Sequence, residues 1–186
     1  RLSLVGSEMC IRDRIFEERV LDLFQMEGKD RENFRRSGFY GITNPFVLPD
    51  HAGVRYYDLT QLDGSHLLVM LTNAEWIASK QLQVARVKVG DPKAAPADPK
   101  DKWAPKTTPA AFEAIVAKKA APSDDELRAA VRTQFGLVLR REPTAAELAR
   151  YLDLGREAIK IAGNVEGLRE VLKAVLLESE FVYRLE

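Results

Sequence analysis

Cysteine and histidine are almost missing from this chain of 186 residues, which holds only Cys10, His51 and His66. A single cysteine closes no disulfide within the chain. It also rules out the Cys-x-x-Cys-His that carries a c-type haem. An excess of charge of one sign is missing too: 28 Lys and Arg stand against 28 Asp and Glu, so no overall field draws the chain to nucleic acid or to an anionic membrane. The Lys-rich stretch over 86–106 is interrupted by Asp91, Asp98 and Asp101. No apolar run approaches membrane length, the longest in the middle being Leu67 to Leu71. The sequence has no phosphate-cradling Gly loop, dinucleotide fingerprint, Ser nucleophile elbow, metal-binding His pair or glycosylation sequon. What remains is 46% hydrophobic and 30% charged, the composition of a globular protein of one or two domains.

Three successive helix signatures fill the C-terminal third. Ser123-Asp-Asp-Glu126 reads as a capping box with two acids at the positive end of the dipole. Leu127, Ala130, Val131, Phe135 and Val138 then recur at helical spacing, and the helix should stop near Leu139. Pro143 and the second capping box Thr144-Ala-Ala-Glu147 open another helix, whose stripe is Leu148, Tyr151, Leu152, Ile159 and Ala162. Gly163 supplies a left-handed stop and Asn164 a cap for the third helix. That helix carries Leu168, Val171, Leu172, Val175, Leu176, Ser179 and Val182 as one uninterrupted stripe. Glu178 and Glu180, two apart on it, point different ways and should be solvated.

The run Val138-Leu-Arg-Arg-Glu-Pro-Thr-Ala-Ala-Glu-Leu-Ala-Arg-Tyr-Leu152, with the closing Phe181-Val-Tyr-Arg184, resembles a short helical domain of unknown function. That domain occurs in large planctomycete proteins, many of which also carry a c-type cytochrome domain. The shared pattern is paired arginines, a proline, a Thr-x-x-Glu helix start and a last helix ending on Phe-x-Tyr-Arg. Here Arg140, Arg141, Pro143, Thr144, Glu147, Tyr151, Ser179, Tyr183 and Arg184 match, while Glu142 separates the arginines from the proline and Glu178-Ser-Glu180 replaces the common Ser-Pro. The resemblance covers residues of about 123–186, with a looser likeness over 38–81. It implies a piece of a larger exported protein, periplasmic or at the cell surface, with neighbouring domains of the same chain as partners and any haem held elsewhere in that parent.

At the other end, Ser3-Leu-Val-Gly-Ser-Glu-Met-Cys-Ile-Arg-Asp-Arg14 resembles translated sequencing-adapter bases of the kind seen in metagenomic assemblies. The alternative is a genuine helix running into a stripe of Ile15, Val20, Leu23 and Phe24. If the stretch is an artefact, the native piece has no cysteine at all, and so no disulfide, cysteine-ligated zinc or thiol nucleophile.

Between these ends the signals are mixed. Ser37-Gly-Phe-Tyr-Gly41 through Asn44-Pro-Phe-Val-Leu-Pro49 reads as an ordered irregular loop, and Val54 to Leu59 as a strand or extended segment. A helix is expected from about Ser65 to Gln81, and a brief strand over Val84-Ala-Arg-Val-Lys-Val89. Five of the nine prolines lie between Asp91 and Pro109, which argues an extended linker. Thr108 followed by Pro109 at the first helical position then starts a short helix through Phe112, Ile115 and Val116.

Two clusters could carry chemistry or docking. Asp50, His51, Arg55, Tyr57 and Asp58 offer a proton carrier and an anion clamp within an aromatic loop, or equally the edge of a core with surface turns. Arg140 and Arg141, with Tyr183 and Arg184, could bind an anion or a neighbouring domain, or else tie helix ends together, Arg141 finding last-turn carbonyls or Glu147. His66 reads as a capping or surface residue.

The expected fold is mainly α: a C-terminal three-helix antiparallel bundle preceded by an irregular loop-and-helix segment with little or no β. Its divisions are 1–14 as artefact, 15–90 as the irregular segment, 91–109 as the linker and 110–186 as the bundle. The expected function is a non-catalytic structural or interaction module, with no catalytic residue, metal or cofactor of its own. The competing expectation is part of an enzyme, haem-linked or polysaccharide-acting, whose catalytic domains lie mostly outside this piece.

Overall fold

The structure, a computed structural model, describes residues 18–29, 31, 32, 42, 64–94 and 105–182, apart from the side chains of Ser65, His66 and Val182. It is mainly helical, with no strand among the described residues. Besides helical residues in the N-terminal part, the helices are α1 (Gly64–Lys88), α2 (Ala110–Val116), α3 (Asp124–Val138), α4 (Ala145–Ala162), α5 (Asn164–Leu176) and α6 (Ser179–Val182). Val54–Leu59 and the Gly- and Pro-rich loop lie outside the described residues.

Helix α1 runs seven residues beyond the expected Gln81, through the stretch read as a strand. The alternation of Val84, Val87 and Val89 marks no sheet face, since Val87 and Val89 are exposed. Ala74, Ile77, Ala78, Leu82 and Ala85 form the buried stripe instead, so packing at a period of 3.6 overrides local β-propensity. Gly90, at φ 70, ends the helix. Its amide bonds the Val87 carbonyl and the Asp91 amide the Arg86 carbonyl, the Schellman pattern.

Pro109 is the residue before α2, at φ −54 and ψ 141, rather than its first helical residue. Thr108 does not cap it. The Thr108 hydroxyl donates to the Gln81 carbonyl and accepts from the Ala85 amide, each at 3.2 Å, so it pins the connector to one turn of α1. Helices α3 and α4 begin on the expected capping boxes at Ser123 with Glu126 and Thr144 with Glu147. Helix α3 ends at Leu139 as expected. Ala162 is exposed rather than part of the α4 stripe.

Gly163 sits at φ 83 and ψ 173, a region that only glycine visits without strain, rather than in the left-handed helical well. It is itself the cap residue of α5. Asn164 lies inside the helix, and its Nδ2 donates to the Lys118 and Ala120 carbonyls at 2.7 and 2.8 Å. The third signature also breaks: α5 stops at Leu176, Leu177 and Glu178 make tight bonds back to Ala174 and Val175, and α6 restarts at Ser179.

Helix α5 is the centre of the assembly, packing against α1, α2, α3 and α4. Leu168, Val171, Leu172, Val175 and Leu176 are all buried. Where α5 meets α4 the backbones come close, because a Cβ added at Gly167 would lie 2.5 Å from the Ile159 amide nitrogen. Along α1, Glu75 pairs with Arg169 and Lys173, and Arg86 with Glu166. Numbers rise on one helix as they fall on the other, so α1 and α5 run antiparallel. In the dry interior Gln81 and Gln134 exchange reciprocal amide bonds of 2.9 and 3.1 Å, and Gln134 also donates to the Leu172 carbonyl. This satisfies polar groups that would be costly to bury alone.

Residues 18–23 are helical, and Gln25 at φ 53 follows their last turn. Val20, Leu21, Leu23, Phe24 and Met26 are buried in the same core as the later helices. Burying five such side chains is worth about 10 kcal/mol, and ordering nine residues costs about the same. Polar fastenings therefore decide whether this segment stays in place.

Candidate docking site around Arg140 and Arg141

The α3–α4 turn places both arginines. Leu139 closes α3, Arg140 turns the chain at φ 60, and Pro143 with Thr144 starts α4. A left-handed non-glycine residue is mildly strained, and here it points successive side chains to different partners.

Arg141 reaches inward. Its Nε and Nη2 donate to the two Glu180 carboxylate oxygens, both at 2.8 Å. Nη1 and Nη2 donate to Glu147 at 2.9 and 2.7 Å, and Nη1 also to the Glu142 carbonyl at 3.1 Å. A guanidinium has five N–H groups, and each is used. The Phe135 ring lies 5.4 Å from the guanidinium carbon, adding a cation–π contact. Glu180, then Glu147, hold Arg141 above its ordinary pKa. Arg141 in turn pushes Glu147 down to about 2 and lowers Glu180. Glu147 also serves its capping box, accepting from the Thr144 amide at 2.7 Å. Arg141 finds Glu147, as the sequence suggests; its second carboxylate, 39 residues away, has no local signal.

Arg140 is exposed and pairs with Asp22 at 3.2 Å, and Asp22 also accepts from Arg31 at 2.9 Å. From the N-terminal segment, Arg19 Nη1 donates to the Glu180 carbonyl and, at 2.8 Å, to that of Phe181. The last carbonyls of α6 thereby gain partners that a helix end otherwise lacks.

Glu178 and Glu180 point different ways and stay partly exposed, yet both are paired, which the expectation of plain solvation missed. After the break at Leu176, Glu180 accepts from Arg141, and Glu178 accepts from Arg150 and from the Tyr151 hydroxyl. Tyr151 is buried with its ring edge-on to Phe135 at 5.2 Å. Burial, with Glu178 beside it, raises its pKa, so it acts as a donor and not as a base.

Of the other candidates, Asp50, His51, Arg55, Tyr57, Asp58, Tyr183 and Arg184 lie outside the described residues. Arg19, Asp22, Tyr151 and Glu178 are contributors that sequence reasoning missed, since their pairings join distant segments. Among the described residues no cluster of His, Cys, Asp or Glu is placed to hold a metal, and no helix is long and apolar enough to cross a membrane. With Arg141 saturated, an incoming phosphate would first have to displace a carboxylate. No family model, curated protein or solved structure matches the chain.

Proposed function

We propose that this chain is a non-catalytic structural and interaction module, a piece of a larger exported protein of the planctomycete type with neighbouring domains of the same parent as its partners. One observation carries the reading: of the Arg-Arg…Pro-Thr-x-x-Glu pattern, Arg141, Thr144 and Glu147 are bound to one another and to the last helix, while Arg140 stays exposed. Thr144 and Glu147 cap α4, Arg141 binds Glu147 and Glu180, and Tyr151 binds Glu178. Groups spent on holding three helices together are unavailable for proton transfer or anion binding. A c-type haem, in such a parent, belongs to another part of the chain, because Cys10 alone cannot make the double thioether attachment.

Sequencing the source DNA across both ends of the reading frame tests this. A frame that runs on past Glu186, with an export signal or Cys-x-x-Cys-His outside the present chain, is the expected result. A start codon close to Arg1 and a stop directly after Glu186 would overturn it.

A further inference from the structure

We infer that the turn over 139–143 is a coupling device: through it residues 18–26 and α6 loosen together, so that a displacement of either segment is felt at the other. The device extends the interaction-module reading, on which its use rests, because a module between neighbouring domains can pass a displacement at one contact on to another. Three contacts close a ring. Arg140 Nη2 meets the Asp22 carboxylate at 3.2 Å. From the same segment, Arg19 Nη1 donates to the Glu180 carbonyl and, at 2.8 Å, to that of Phe181. The Glu180 carboxylate accepts from Arg141 at 2.8 Å. Each of the three parts thus touches the other two.

One backbone torsion makes the ring possible. With φ 60 at Arg140, adjacent arginines leave the turn towards different segments, Arg140 to residues 18–26 and Arg141 to α6. Glu180 is the shared point, its main chain held by Arg19 and its side chain by Arg141. Apolar burial runs parallel to the polar ring, since Leu21, Phe24 and Phe181 are all buried in one core. Loss of the 18–26 segment takes a donor from the α6 carbonyls, and loss of α6 takes these acceptors from Arg19 and Arg141. A part-buried polar group that loses its partner is costly, so each segment is more stable in the presence of the other. Such coupling is reciprocal by thermodynamic linkage.

Amide hydrogen exchange of the full chain, resolved by NMR, tests this. Asp22→Lys sets like charges against Arg31 and Arg140 at an exposed position. It should speed exchange at the Phe24 and Met26 amides, which bond the Val20 and Leu21 carbonyls, and equally at the Phe181 amide, which bonds the Glu178 carbonyl. The expected factor is about five or more. The Gly163 amide, bonded to the Ile159 carbonyl, should exchange as in the wild type. Glu180→Gln approaches from the other side: it weakens the Arg141 contact, keeps the main-chain carbonyls that Arg19 uses, and should speed the Phe24 and Met26 amides along with that of Phe181. Acceleration confined to the altered segment overturns the proposal, as does none at all. Equal acceleration at Gly163 would show the whole core opening as one and overturn it too. Should Asp22→Lys fail to fold, Glu180→Gln decides alone. None of these outcomes depends on where the reading frame ends, so the coupling and the module reading fail independently.

Discussion

Helices α3, α4 and α5 and the pair made by residues 18–26 with α6 share one core but are fastened in opposite ways. Within α3 and α4, start signals act over three residues, Ser123 with Glu126 and Thr144 with Glu147. Residues 18–26 and α6 are joined instead by side chains that reach far along the chain. Arginines that bridge 161 residues in one case and 39 in another hold them. A region fixed by local chemistry tolerates loss of any one distant contact, whereas a region fixed by a few long-range groups depends on each.

Breaking the α4–α5 crossing should cost most. Gly167→Ala drives a methyl into the Ile159 backbone and should lower stability by about 3 kcal/mol, read as a fall in the urea midpoint. At Gly155, where the added carbon would meet only side chains of Val171 and Leu127 at 3.3 and 3.4 Å, the same change should cost about 1 kcal/mol. Equal losses at the two sites would contradict the close backbone approach.

Next comes the buried amide pair. Gln134→Leu strands Gln81 in the core and should cost about 2 kcal/mol. Adding Gln81→Leu should recover most of that. A double variant no more stable than the single would show that the Leu172 carbonyl, not the pairing, sets the cost.

Arg141→Ala should cost about 2 kcal/mol by removing bonds to two carboxylates, and its loss should depend on pH. Glu147 and Glu180 have pKa values below the ordinary carboxylate value of 4.5. The stability they bring is therefore present in full above that value and is lost as pH falls towards about 2. The gap between wild type and variant, measured by urea unfolding, should shrink through this window. A constant gap would mean that the carboxylates do not titrate with the clasp.

The smallest effect is a gain. Gly136 lies exposed in α3 with open space around it, so Gly136→Ala should add about 0.8 kcal/mol and raise the thermal midpoint without moving anything else.

Local readings succeeded where the physics is local. The capping boxes, the Leu139 stop and the stripes of α3 and α5 all follow from neighbours within a turn or two. They failed at Val84–Val89, where an alternating pattern lies in a helix because Ala85 and Arg86 are buried beside α2 and α5. They failed again at Asn164 and Thr108, whose side chains serve distant segments instead of their own helix ends. Half of the candidate docking site was legible: Arg141 with Glu147, six residues apart. Glu180, Arg19 and Asp22 were not, because nothing in a sequence marks which of many charges will meet across a core.

By itself the sequence determined a mainly helical chain, the starts of α3 and α4 and the buried face of α5, since each depends on hydrogen bonds and periodicity spanning a few residues. Only the tertiary structure decided that α5 lies at the centre, that α1 reaches Lys88, that the last helix breaks after Leu176 and that Arg19 and Arg141 converge on Glu180. Those outcomes depend on which surfaces exclude water together, a property of the assembled helices and of none of them alone.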